Sequence, residues 1–102
     1  MKPEEHPPFR AWSPDPKRLR DRLAARFAAA GYSYPDFAAD VIAWRGVKRL
    51  TIEQLAAEIR VTEAEIAAAE AGELDPDAAN PALRWGAMRH ARELKKGRPP
   101  AG

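Results

Sequence analysis

Two helix-start signatures eleven residues apart constrain this chain more than any other feature. Thr51 is followed three residues later by Gln54, and Thr62 by Glu65. In such a capping box the threonine hydroxyl accepts the N–H three residues on, and the Gln or Glu side chain reaches back to the cap's own N–H. The second start leaves room for only a short helix before it, over about 51–59. Gly72 then closes a second helix, over about 62–71, because glycine takes the left-handed backbone that ends helices. Leu55, Ile59, Val61 and Ile66 stand at the spacing that anchors two short crossed helices.

The flanks also read as helices. Leu19, Leu23 and Phe27 recur every four residues in a helix from about Asp15 to Ala30, with Asp15 as its cap, Pro16 in its first position and Gly31 as its stop. Ser33 opens a further start signal in which Asp36 takes the capping-box place and Pro35 the first turn. The helix after it should turn Phe37, Val41 and Trp44 inward and end near Gly46 to Arg49. A connector over 73–80 contains Pro76, and Asn80 with Pro81 starts a last helix to about Lys96. Alanine is abundant, β-branched residues are few, and neither a strand pattern nor an internal repeat is present. The 102 residues suit one modest core. The expectation is an all-α single domain over 14–96, preceded by a flexible arm (1–13) whose Phe9 and Trp12 could anchor onto it, and followed by a disordered Pro/Gly tail (97–102).

Several chemistries are excluded on composition. Without cysteine there are no disulfides and no thiolate metal sites, and a reducing cytoplasmic compartment is the natural expectation. No apolar run approaches the ~18 residues that cross a bilayer, and the first residues lack the pattern of a signal peptide. His6 and His90 are too far apart and too unsupported to suggest a metal, so no cofactor is expected. Neither a Ser-His-Asp set nor a Gly-rich phosphate loop is present, and Glu73, Asp75 and Asp77 read as a connecting loop rather than a catalytic pair. The chain does not read as an enzyme.

Arg45, Leu50, Thr51, Leu55, Ala56, Val61, Thr62, Ile66, Glu70 and Gly72 fall in one ungapped register. Over residues 45–72 this resembles the lambda-repressor-like (XRE) helix-turn-helix pattern: Arg, then Leu-Thr, Leu-Ala, Val with Ser or Thr, Ile, and Glu-x-Gly. The resemblance implies a five-helix domain with its helix-turn-helix at 51–71. It implies an internal ion pair between Arg45 and Glu70, and a close helix crossing at Ala56. It also implies that the second short helix enters the major groove through its first residues, here Thr62, Glu63, Ala64, Glu65, Ala67 and Ala68. The pattern's Gln after Leu-Thr is Ile52 here, and its turn glycine is Arg60, at a cost of about 1 kcal/mol if that residue takes positive φ.

Charge placement bears on partners. Residues 1–50 carry a net +4, residues 51–80 a net −7 and residues 81–102 a net +5. Base edges are read best by Arg, Lys, Asn or Gln, so Glu63, Ala64, Glu65 and Ala68 make a weak or atypical reader. Glu63 and Glu65 also have a plain role as first-turn acids that suit the helix dipole. Arg18, Arg22 and Arg26 form one stripe on the first helix. Arg84, Arg89, Arg92, Lys95 and Lys96 share a broad face of the last, with Trp85 and Met88 on that side, unless Trp85 fills core space instead. Two functions follow. One is a dimeric DNA-binding regulator whose phosphate contacts come from Arg18, Arg22, Arg49 and Arg60. The other is an interaction module whose acidic helix docks on a basic protein, such as a polymerase subunit, nuclease, toxin or repressor. Arg84, Trp85, Arg89, Arg92 and Lys96 form an alternative basic patch.

Overall fold

The computed structural model describes residues 16–96. The N-terminal arm with Phe9 and Trp12, the Asp15 cap and the 97–102 tail lie outside the described residues. Within them the chain is all-helical: α1 (Pro16–Ala29), α2 (Pro35–Lys48), α3 (Ile52–Ile59), α4 (Glu63–Glu70) and α5 (Pro81–Lys95), with a 3₁₀ turn at Pro76–Ala78. No described helix is long and apolar enough to cross a membrane.

Local chemistry sets most boundaries. Thr51 Oγ1 accepts from the Gln54 N–H at 3.0 Å, and Gln54 Oε1 accepts from the Thr51 N–H at 2.9 Å, so α3 has both halves of its box. Thr62 Oγ1 accepts from the Glu65 N–H at 3.1 Å, but the returning half is missing. The Glu65 carboxylate instead accepts from the N–H of Asn80, the cap of α5, because the chain brings that unsatisfied helix-end donor within reach. The start of α2 also differs from expectation. Tyr34 is its cap and makes no side-chain cap bond; Pro35 sets the first turn, and Asp36 turns outward to Arg20.

α2 is the helix the others share. It packs against α1, α4 and α5. The largest fully buried side chains come one each from α2, α3, α4 and α5: Val41, Leu55, Ile66 and Leu83. Leu19, Leu23 and Ala24 of α1 meet Ala39 in a second cluster on the other side of α2, with Phe27 and Ile42 partly buried beside it. Trp44 is partly buried against the main core, where its ring passes over Gly86 of α5; a Cβ at Gly86 would lie 2.1 Å from that ring. Gly72, at φ +77°, ends α4 beneath Tyr32, and its carbonyl accepts from the Tyr34 N–H at 3.0 Å. Tyr32 in turn stacks on Phe27, with ring centroids 4.4 Å apart, so the end of α4 is pinned to the α1–α2 turn.

Candidate nucleic-acid interface

α3 and α4 are joined by only Arg60, Val61 and Thr62. Val61 is buried among Leu55, Ala56 and Ile66, which fixes the angle between the two helices. Arg45 then clamps α4 to α2. Its Nε and Nη2 donate to the two carboxylate oxygens of Glu70 at 2.6 and 2.9 Å, and its Nη1 donates to the Leu50 carbonyl at 3.0 Å. One guanidinium thus ties α2, the α2–α3 turn and α4 together. With side-chain exposures of 24% for Arg45 and 12% for Glu70, water competes weakly for this bidentate pair. Lys48 adds an outer link to Glu58 of α3 at 2.8 Å.

This clamp leaves the outer face of α4 free. Thr62, Glu63, Ala64 and Ala67 are exposed, while Glu65 and Ala68 are half-buried. Thr62 and Glu65 spend their side-chain oxygens on internal N–H groups, so Glu63 is the free polar side chain in the first turn. A carboxylate there can accept from cytosine but repels phosphate.

The cations are arranged differently. Arg49 and Arg60 are exposed, and both adopt the left-handed backbone, at φ 59° and φ 60°. Each ends a helix, with its N–H turned back to carbonyls of the last turn: Arg45 and Gly46 for Arg49, Ala56 for Arg60. Each also stands two residues before the cap of the next helix, Thr51 or Thr62. Neither joins an ion pair among the described residues. Arg18 and Arg22 are exposed on α1, which packs chiefly on α2, so they are not gathered around α4.

On α5, Trp85 is 55% and Met88 43% exposed, which settles Trp85 outside the core. Arg89, Arg92, Lys95 and Lys96 are exposed with them. Arg84 departs from that face: it is half-buried, with its guanidinium carbon 5.9 Å from the Trp85 ring centroid.

One polar centre escaped sequence reasoning. Arg20 donates to Asp40 at 2.6 Å, Asp36 at 3.1 Å and Asp21 at 3.1 Å across a cleft of ≈ 370 Å³ between α1, α2 and α5. Burial works against the Arg20 charge, but these carboxylates outweigh it and hold the proton more tightly than usual. Lys17 and Arg20 hold the Asp21 carboxyl below its usual range. The charges answer one another, so the cleft is a structural lock between α1 and α2. Among the described residues no His, Cys, Asp and Glu side chains converge as a metal site.

No family model, curated protein or solved structure matches this chain.

Proposed function

We propose that this chain is a DNA-binding regulator built on a lambda-repressor-like helix-turn-helix, with α4 as its recognition helix, phosphate contacts from arginines and weak base readout. The observation that carries the reading is the pair of left-handed arginines. A single L-residue in that conformation costs roughly 1–2 kcal/mol, which glycine avoids. Strain of this kind collects where a side chain is used. Arg49 and Arg60 each stand just ahead of a helix N-terminus, where backbone N–H groups and the helix dipole favour an anion such as phosphate. The Arg45–Glu70 clamp supports the same reading, because it holds α4 outward as a rigid unit.

The first-turn acids limit this grip. Glu53 and Glu63 occupy part of the positive potential at their own helix ends, so affinity should be modest and greatest at low salt. Fluorescence anisotropy with a labelled mixed-sequence duplex at about 50 mM salt tests the proposal, since electrostatic affinity is greatest at low salt. Absence of binding there overturns it. The acidic interaction module stays as a second reading because α4 offers no cation at all. Glu63→Lys separates the two: it strengthens duplex binding under the first reading and abolishes partner binding under the second. Glu65 is unsuitable for this test, because its carboxylate holds the Asn80 N–H.

A further inference from the structure

The outer face of α5 is unusual for a free surface. Trp85, Met88, Arg89, Arg92 and Lys96 project from the side opposite Leu83, Ala87 and Leu94, which are buried. None of the three cations joins an ion pair among the described residues. Trp, Met and Arg are the residue types enriched at protein interfaces, and Trp and Arg supply most hot spots. The charge of this face requires an acidic partner. Pairing α5 with the same face of another α5 would set cation against cation.

The complement exists on the same chain. The outer face of α4 and its end present Glu63, Ala64, Ala67, Ala71 and Glu73, all exposed and without a basic side chain. Glu63 and Glu73 join no ion pair among the described residues. The lengths also agree. Trp85 to Arg92 rises about 10 Å, and the eight residues of α4 about 12 Å, at 1.5 Å per residue. An alanine ridge lets another helix approach closely and leaves room for large side chains.

We propose that the α5 face of one copy docks on the α4 face of a second copy. Trp85 and Met88 lie over Ala64 and Ala67, and Arg89, Arg92 and Lys96 meet Glu63 and Glu73. The two faces differ, so the contact is head-to-tail and open-ended rather than a closed symmetric dimer. Two short helix faces make a small interface, which sets a weak association, with Kd on the order of 0.1 mM. The inference does not rest on DNA binding, and its test contains no nucleic acid.

Sedimentation of the full chain from ~10 μM to ~1 mM, at low and at ~0.5 M salt, reads the association directly. The average mass should rise with concentration, pass the dimer without a plateau, and fall back in high salt. Trp85→Ala should weaken association about tenfold. W85A/R89Q/R92Q blinds the α5 face and E63K/E73K blinds the α4 face. Each should be monomeric with a wild-type helical circular dichroism spectrum, and an equal mixture should form a dimer that grows no further, because one intact face of each kind remains. A wild type that stays monomeric at ~1 mM in low salt overturns the proposal, whatever other ligand the face takes, an oligonucleotide included. A mass that plateaus at a dimer, or a mixture that stays monomeric, overturns it equally.

Discussion

Gly86→Ala sets two effects of opposite sign against each other. Gly86 lies inside α5, and alanine in a helix interior is worth about 1 kcal/mol over glycine. Propensity alone therefore predicts a more stable protein. Packing predicts the reverse. The added Cβ would stand 2.1 Å from Trp44 Cη2, 2.3 Å from Cζ2 and 2.8 Å from Cζ3, where non-bonded carbons prefer about 3.5–4.0 Å. The ring is rigid and packed against the main core, so it cannot swing aside as a lysine tip would. α5 must move off α2 by about 1.5 Å, which loosens Leu83 and Ala87, both fully buried. Overpacking of this size costs about 3 kcal/mol, so the net loss is about 2 kcal/mol. For a domain of this length that lowers Tm by about 10 °C. Urea unfolding followed at 222 nm measures it, and Trp44→Phe in the same chain should recover at least half of the Gly86→Ala loss, since the phenyl ring ends short of the clash. A Gly86→Ala variant more stable than wild type would refute the close approach of α2 and α5.

Other outcomes follow from the same geometry. Glu70→Gln strands a poorly solvated Arg45 charge and should cost about 2–3 kcal/mol by urea unfolding, whereas the Arg45→Met, Glu70→Met double variant should lose less than the sum of the two single changes. Arg60→Gly should raise stability by about 0.5–1 kcal/mol, as relief of left-handed strain exceeds the entropy glycine adds to the unfolded chain, while duplex affinity falls. His90 is half-buried, its Nδ1 has no partner, and burial depresses its pKa below 6.5, against a smaller opposing pull from Glu93. The unfolded chain therefore takes up the proton first. This contribution to stability is full above about pH 6.5 and is lost as pH falls toward the depressed value. Comparing urea midpoints at pH 7.5 and 5.5 should show a drop in wild type that is smaller in His90→Leu.

What the sequence made legible was what neighbouring residues decide among themselves. The Thr51–Gln54 box and the Asn80–Pro81 start are set within four residues, and each could be read directly, whereas a left-handed Arg60 was implied only by register with a pattern that has glycine there. Glu65 defeated that logic because its partner lies fifteen residues away, and only the packed chain brings the Asn80 N–H to it. Tyr34 took the cap of α2 for a similar reason: Asp36 has a stronger partner in Arg20, on another helix. Arg20 drew no notice in the sequence, since its three carboxylates come from two helices whose pairing no local pattern reveals. Gly86 carried no signal at all until Trp44 was placed above it. For the candidate interface, register with a known pattern named Arg45, Glu70 and α4, and counting charges marked α4 as acidic. That Arg49 shares the left-handed geometry of Arg60 needed the backbone, because nothing in Lys-Arg-Leu-Thr sets φ. The exposure of Trp85 needed knowledge of which side of α5 is covered.

Under the proposed function, Arg49 and Arg60 hold duplex phosphates beside the acidic α4. Its most direct test is the salt dependence of duplex affinity for wild type and for the Arg49→Gly, Arg60→Gly double variant, from about 50 to 200 mM salt. Wild type should bind measurably at the low end, and the slope of log K on log salt should be shallower by about 1.8 in the variant, one released counterion set per lost contact. Equal slopes, or a wild type that leaves the duplex unbound at about 50 mM salt, would contradict it.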